Sequence, residues 1–171
     1  MNIKLMQVAA LIFIVLISPA IASNQNVPIG KCSLPLDFGG QSVAIDPSEP
    51  SVEEVFTMDL TLLLMKDTAT NSIGLIYKYD FIQPKPISTF GDSFSDVMKG
   101  VCARVSTEPY GNGFIATGLL KKGGQKCWGV FIPLDSNNDE MKEALMVIMM
   151  FKNETLNEDL VKNIKIESMK C

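Results

Sequence analysis

Histidine is absent from this 171-residue chain, and arginine occurs once, as Arg104. Without histidine the chain cannot form a Ser-His-Asp or Cys-His catalytic site, a histidine metal site or a histidine pH switch. Aspartate and glutamate outnumber lysine and arginine by 19 to 15, which gives a formal net charge of −4. Because proteins that bind nucleic acids rely on clustered cations, the sequence predicts no nucleic-acid partner.

The first 22 residues have the composition of a cleavable secretory signal. Lys4 is their only charged residue, Val8 to Ile17 is almost entirely apolar, and the pattern Ala20-Ile21-Ala22 follows. This order of a basic start, an apolar middle and an A-x-A end predicts cleavage after Ala22. A membrane anchor is the alternative, but the apolar run is shorter than the ~20 residues that a spanning helix needs. We therefore expect no transmembrane anchor after signal cleavage.

Residues 23–171 have the length of one domain. A chain of about 150 residues buries roughly 68–70% of its unfolded surface, which is enough for a core of its own. Removal of Lys4 with the signal changes the formal net charge from −4 to −5. We expect a single mature α+β domain that is mildly acidic and is either secreted or periplasmic.

All four cysteines lie in the mature part, which fits an oxidising compartment. No C-x-x-C pair occurs, so neither a thioredoxin-like redox site nor a zinc ribbon is expected. Four cysteines allow three disulfide pairings. Among these we favour Cys102 with Cys127, which would tie a helix to a central hairpin, and Cys32 with Cys171, which would join the two ends of the mature chain.

The stretch from Gly113 to Leu134 is the predicted centre of the fold. Two β-branched and aromatic runs flank a connection that contains Gly123 and Gly124, which is typical of a β-hairpin. The second run carries Cys127 and the only tryptophan, Trp128. We expect the rest of the domain to pack on this hairpin.

A second hairpin is predicted upstream. Between Val55 and Lys66, the residues Met58, Leu60, Leu62 and Leu64 alternate with other side chains, which predicts a strand with these four on its buried face. The run from Ile73 to Phe81 alternates in the same way, so the two strands should pair as antiparallel neighbours. Earlier in the chain, residues 23–40 are expected to be irregular, and residues 41–45 to form a short edge strand.

Two helices are predicted, one before and one after the central hairpin in the sequence. Ser88 or Thr89 can cap the first, which would run to about Val105 and carry Cys102 on its apolar face. The second would begin in the acidic segment 135–140, where the helix dipole favours acids, and continue through the apolar run to Phe151.

A last strand is expected near Ile164 and Ile166. The fold class is therefore α+β: an antiparallel sheet built from two hairpins, with two helices packed on one face and disulfides tying the domain together.

The segment from Phe90 to Asp96 reads Phe-Gly-Asp-Ser-Phe-Ser-Asp. These seven residues resemble the block around the nucleophile of GDSL-type esterases, and the resemblance implies Ser93 as the nucleophile. That family also uses a downstream histidine as its base, which this chain lacks, and a serine without a base is a weak nucleophile. A capped amphipathic helix with Asp92 and Ser93 in its first turn accounts for the same residues, and we expect the helix rather than a catalytic site.

The pattern Asp135-x-Asn137-x-Asp139 matches the first positions of a calcium-binding loop. Glu140 stands where that loop requires glycine, however, and Met146 stands where it requires an acid. We therefore predict a helix start here, with a weak surface calcium site as the alternative. No other pattern indicates a metal or a cofactor.

Two further features have more than one interpretation. Asn153-Glu154-Thr155 is an N-glycosylation acceptor, which would be used only in a eukaryote. The ending of the signal and the Asn-, Ile- and Lys-rich composition favour a Gram-negative bacterium instead. Lys121 and Lys122 are solubilising residues of the hairpin turn in the simplest interpretation, with contact to an acidic partner or a lipid headgroup as the alternative.

We expect an exported, non-enzymatic binding or interaction protein, because the domain is oxidised and acidic and has no catalytic constellation. Its partner would be a protein or a surface, as for a bacterial secreted factor, including a virulence factor, that acts on a host or a competitor. An accessory protein of the periplasm or cell envelope is the first alternative. The second is a hydrolase without histidine, which would use paired carboxylates or Ser93.

Overall fold

The computed structural model of the protein describes residues 24–46, 53–55, 58–137, 139–165 and 168–171. The predicted signal, residues 1–22, lies outside the described residues. In the part of the chain that is described, no helix combines the length and the apolar composition needed to cross a membrane.

The described residues form mainly β-strands, with two α-helices. The elements in chain order are β1 (Asn24–Ile29), β2 (Cys32–Asp37), β3 (Val43–Asp46), β4 (Glu53–Val55), β5 (Met58–Asp67), β6 (Ile73–Pro86), a 3₁₀ turn (Ile87–Thr89), α1 (Phe90–Val101), β7 (Cys102–Tyr110), β8 (Gly113–Leu120), β9 (Lys126–Pro133), β10 (Ser136–Asn137), β11 (Glu140–Met150) and α2 (Glu154–Lys162).

One large antiparallel sheet organises the fold. Its strands lie in the order β3-β5-β6-β11-β9-β8-β7, with β4 beside β5 and β10 beside β11, and β1 pairs with β2 in a separate two-stranded sheet. Both predicted hairpins are present, as β5–β6 and β8–β9, and β3 is the predicted edge strand. The sheet is larger than two hairpins because β7 and β11 extend it.

The predicted second helix is wrong: the apolar run from Leu145 to Met150 belongs to β11, the central strand of the sheet. It pairs with β6 on one side and with β9 on the other. Leu145, Val147 and Met149 face one part of the core, whereas Met146 and Ile148 face the other. A strand covered on both faces needs no polar side chains, and such a run cannot be distinguished from a buried helix by periodicity.

The two helices lie on opposite faces of the sheet, which corrects the predicted one-face arrangement. Phe94 and Met98 of α1 pack into the core on the face that carries Met146. Leu156 and Leu160 of α2 pack into the core on the other face, beside the β1–β2 hairpin. We call these the α1 face and the α2 face. The sheet therefore has a cover on each side, which explains why β11 is buried from Ala144 to Met150.

The predicted irregular start of the mature chain is also wrong from Asn24 onwards, because β1 and β2 form a hairpin over the α2 face. Pro28 and Pro35 argue against strands in the sequence, since proline removes a ladder hydrogen bond. Both strands of a separate hairpin are edges, however, and tolerate proline at outward-facing positions. Val27 and Leu34 are fully buried there.

The first helix ends earlier than predicted. It stops at Val101, and Cys102, with φ −114° and ψ 151°, begins β7. The β-branched residues that follow, Val105 and Thr107, favour a strand. Cys102 therefore ties an edge strand, rather than a helix, to the central hairpin.

A helix that the sequence analysis did not predict, α2, follows β11. Asn153 caps α2 by accepting a hydrogen bond from the Leu156 backbone N–H at 3.1 Å. Asn157 is fully buried and bonds to both backbone groups of Phe151, at 2.9 Å and 2.7 Å. Of the predicted last strand, Ile164 lies after the helix and Ile166 lies outside the described residues.

Candidate functional site

The segment of the esterase resemblance, Phe90 to Asp96, lies in α1. Ser93 is exposed on α1, in the helical segment predicted for it. The segment opens a helix after a 3₁₀ turn, and the chain supplies no histidine to act as the base.

The calcium-like pattern lies in a tight connection rather than at a helix start, because the predicted helix is β11. Asp135 Oδ1 accepts hydrogen bonds from the backbone N–H groups of Lys142 and Glu143, at 2.9 Å and 2.6 Å. This carboxylate is therefore used to hold the β10–β11 turn. Among the described residues, no three histidine, cysteine, aspartate or glutamate side chains are grouped closely enough to hold a metal ion.

The cysteines are joined as Cys102–Cys127 and Cys32–Cys171. This is the pairing that the sequence favoured. The second disulfide fixes the C-terminal segment to β2, where Ser33 and Lys170 also exchange backbone hydrogen bonds of 2.7 Å and 3.0 Å. Asn153, the residue of the glycosylation pattern, is exposed at the start of α2.

A cleft of about 510 Å³ lies where the β5–β6 turn, the end of α1, the β8–β9 turn and the end of β11 meet. Its volume is in the range typical of small-molecule sites. We call it the lysine cleft, because Lys121, Lys122 and Lys152 line it. The four segments are far apart in the sequence and come together only through the strand order of the sheet.

The charge of the lysine cleft is opposite to that of the protein as a whole. The described residues that line it include three lysines and neither aspartate nor glutamate. None of these lysines is in an ion pair with a described residue. The salt bridges among the described residues involve three other lysines, Lys78, Lys99 and Lys162. A cluster of unpaired ammonium groups in an acidic chain produces a local positive potential, which attracts anions.

The β5–β6 turn supplies a polar wall to the cleft. Asp67 is buried at the base of the turn and accepts hydrogen bonds from Ala69 N–H and Thr70 Oγ1–H, at 2.9 Å and 2.5 Å. Asn71 has φ 55°, a left-handed conformation that asparagine tolerates. The turn thus presents Thr70 and Ser72 to the cleft, and Ser72 Oγ accepts a hydrogen bond of 3.2 Å from the backbone N–H of Lys152.

The β8–β9 turn and the end of α1 form the opposite wall. Gly123 and Gly124, with φ 106° and 71°, allow the tight reversal that places Lys121 and Lys122 at its tip. Lys121 Nζ donates a hydrogen bond of 3.1 Å to the Gly100 carbonyl at the end of α1, where a helix favours a cation. An ammonium group has three donors, so Lys121 retains two for a ligand.

The floor of the cleft is apolar. It is formed by Ile73, Val101, Leu120 and Met150. Ile73 is 36% exposed, although it belongs to β6, which pairs with β5 on one side and β11 on the other. A ligand held here would therefore meet cations and hydroxyl groups at the rim and aliphatic carbon below them.

Two other places were candidates for a site. Lys78 is buried on β6 and pairs with Asp80 and with Glu143, the latter at 3.1 Å, so its charge is already satisfied within the fold. A second cleft, of about 550 Å³, lies near Ser88, Gly113 and Asp139. The described residues that line it carry a single charged side chain, so it offers a ligand much less than the lysine cleft does.

The sequence indicated only half of the lysine cleft. Lys121 and Lys122 were identified at the hairpin tip, but Lys152 lies about thirty residues away and joins them only because β11 runs beside β9. No protein-family model, curated protein or solved structure matches the chain.

Proposed function

We propose that the chain is an exported, non-enzymatic binding protein that holds a small organic anion in the lysine cleft. The observation that carries this proposal is the grouping of Lys121, Lys122 and Lys152, unpaired with acids in the described structure, over an apolar floor. Electrostatic attraction recruits the anion, and the lysine ammonium groups donate charge-assisted hydrogen bonds to it. The exported location is supported by the two disulfides, which persist in oxidising compartments.

A titration with butanoate, followed by NMR in about 0.15 M salt, tests the binding. Butanol serves as a neutral probe of similar size. We expect butanoate to bind saturably and more tightly than butanol, because only the anion gains from the lysines. Affinity should fall as salt is added, since exposed charges are screened over about 8 Å in this buffer.

A pair of triple variants separates the cleft from the general charge of the protein. Replacement of Lys121, Lys122 and Lys152 by Gln should lower the affinity for butanoate about tenfold, by loss of roughly 1.4 kcal/mol of charge-assisted interaction. Replacement of Lys31, Lys142 and Lys165 by Gln changes the net charge equally at exposed positions outside the cleft and should change the affinity less than twofold. Equal losses in both variants, or no binding by the wild type, would contradict the proposal.

Export is tested by the intact mass of the protein recovered outside the cytoplasm. The expected mass is that of a chain beginning at Ser23 with all four cysteines oxidised. A chain that retains residues 1–22 or carries free thiols would contradict this part of the proposal.

A further inference from the structure

A strip of half-buried apolar side chains extends from the lysine cleft along the α1 face. Its members alternate along the two neighbouring strands β5 and β6 and are Leu60, Leu62, Leu64, Leu75, Tyr77 and Tyr79. The alternation had predicted the β5 leucines as the buried face of that strand. The structure buries the other face instead, with Leu63 at 6% and Met65 at 0% exposure, and leaves Leu60, Leu62 and Leu64 half-exposed.

The strip is continuous with the floor of the cleft. Ile73 lines the cleft and is followed on the same face of β6 by Leu75 and Tyr77. Across the β5–β6 pair, Leu64 lies opposite Leu75, and Leu62 lies opposite Tyr77. Directly opposite Ile73 lies the exposed Lys66, which adds a fourth cation where the strip meets the cleft.

Within the strip, Tyr77 and Tyr79 pack against the core on the α1 face. The rings of Tyr77 and Tyr79 stack with centroids 6.4 Å apart, and the Tyr79 hydroxyl reaches Met146 Sδ on β11 at 3.9 Å. The two rings thus lean over the buried core and present apolar surface beside the β5 leucines. Leu60, Leu62 and Leu64 belong to neither of the two core clusters of the described residues, so nothing in that part of the fold explains three leucines in this row.

We infer that the ligand of the lysine cleft is an amphipathic anion, bound free from solution, whose head lies among the lysines and whose alkyl tail lies on the leucine–tyrosine strip. This inference rests on the proposed function and assigns a ligand class to the same site. The charge of the cleft selects an anionic head, and the contiguous apolar strip selects an aliphatic tail. The four residue steps from Ile73 to Tyr77 span about 13 Å of strand, the length of an extended alkyl chain of roughly ten carbons.

A series of unbranched alkanoates from butanoate to dodecanoate, each kept below its micelle concentration, tests the position of the tail. Affinity should rise about three- to fourfold for each added methylene, because burial of a methylene is worth about 0.8 kcal/mol. The rise should continue to at least ten carbons, where the tail reaches Leu62 and Tyr77. If butanoate binds but affinity does not increase with chain length, the tail assignment is wrong and the proposed function stands. If no member of the series binds, the proposed function is wrong as well.

Two matched variants locate the tail on the protein. Leu62→Ser removes apolar surface from the middle of the strip and should lower the affinity for decanoate about tenfold without changing that for butanoate. Ile82→Ser makes the same kind of change on β6 at a side chain that is 71% exposed and points to the opposite face, and it should leave both affinities unchanged. Equal effects of the two variants on decanoate would contradict the placement.

Vesicles distinguish a free amphiphile from a membrane surface that presents the same chemistry. Sedimentation with vesicles of phosphatidylcholine containing one-third phosphatidylglycerol should leave the protein in the supernatant. Binding to these vesicles, with no binding of monomeric decanoate, would overturn the inference in favour of a lipid-surface contact.

Discussion

Gly118 lies so close to Cys102 that a Cβ atom on the glycine would stand 2.9 Å from the Cβ of the cysteine. Gly118 is in β8, between β7, which carries Cys102, and β9, which carries Cys127. The disulfide therefore crosses over β8 at a residue that has no side chain. It fixes the end of α1 next to the β8–β9 turn, and both of these segments line the lysine cleft.

Gly118→Ala should destabilise the protein by about 1–3 kcal/mol, the usual cost of overpacking a well-packed site. The new methyl group would also stand 3.0 Å from the Ala103 carbonyl oxygen, and backbone cannot move away as easily as a side chain. The free energy of unfolding in urea measures the effect. Gly100→Ala is the control: it lies in α1 with open space around it, and it should be neutral or stabilising by up to about 1 kcal/mol. Equal effects of the two substitutions would contradict the close packing at Gly118.

The two disulfides should have separable effects on stability and binding. Replacement of Cys102 and Cys127 by Ala should cost about 3 kcal/mol of stability and weaken the binding of decanoate, because the walls of the cleft are no longer fixed. Replacement of Cys32 and Cys171 by Ser opens a loop with a sequence separation of 139 rather than 25 residues, and the chain-entropy model gives it the larger stability loss. Binding by the folded fraction should then be unchanged. Loss of binding in the second variant alone would contradict the position of the site.

Asn157 should be among the most sensitive polar positions of the fold. Its amide bonds to the N–H and the C=O of Phe151 and, at 3.4 Å, to the Lys126 carbonyl. Asn157→Leu leaves the two buried Phe151 groups without these partners, and we expect a loss of about 2–4 kcal/mol. Asn163→Leu, at an exposed position just after α2, is the control and should change stability by less than about 0.5 kcal/mol. A small effect of Asn157→Leu in thermal unfolding would show that water replaces the amide.

The protein should lose stability in alkali, in part through Tyr79. Burial raises the pKa of the Tyr79 hydroxyl above its ordinary value of 10.0, and the neighbouring Tyr77 adds to the shift. Above pH 10 the unfolded state therefore releases the tyrosine proton while the folded state retains it, so stability falls as pH rises, by on the order of 1 kcal/mol per pH unit. Tyr79→Phe removes this contribution and should resemble the wild type at pH 8 but be the more stable protein at pH 11.

Lys78 makes a second contribution to the loss of stability in alkali, and the Tyr79→Phe variant retains this contribution. Burial alone would lower the pKa of Lys78, but hydrogen bonds to Asp80 and Glu143 outweigh it and raise the pKa above 10.5. The contribution of Lys78 to the free energy of unfolding is fully present below pH 10.5 and is lost as the pH rises through its raised pKa. Urea midpoints of both proteins between pH 8 and pH 11 check the difference, and parallel curves would contradict a raised pKa for Tyr79.

Local pattern was sufficient to predict the β5–β6 and β8–β9 hairpins but not the centre of the sheet. Each of these hairpins has a local signal in the sequence. For β8–β9 it is the Gly-containing turn at Lys121–Gly124, and for β5–β6 it is the alternation of apolar residues along both strands. The run from Leu145 to Met150 has no period, because both of its faces are covered, and only its neighbours β6 and β9 decide that it is a strand. The predicted helix failed for this reason.

The candidate site was harder to predict than the fold because it depends on contacts between distant segments. Lys152 follows β11, which the sequence pattern wrongly predicted as a helix. Its position beside Lys121 depends on the pairing of β11 with β9, which the sequence pattern does not indicate. The β5 alternation was recognised, but it cannot tell which face is covered; the β1–β2 hairpin over the opposite face decides that. Pro28 and Pro35 concealed this hairpin in the sequence.

An NMR titration of the isotope-labelled wild-type protein with decanoate would locate the ligand residue by residue. Binding in the lysine cleft and along the strip predicts saturable shifts, with one common dissociation constant, for the backbone amides of Ser72, Ile73 and Lys152 and for the methyl groups of Leu62 and Leu64. Resonances of Ser88 and Gly113, at the second cleft, should not move. Shifts centred on the second cleft or scattered over the surface without saturation would contradict the assignment of the lysine cleft as the binding site.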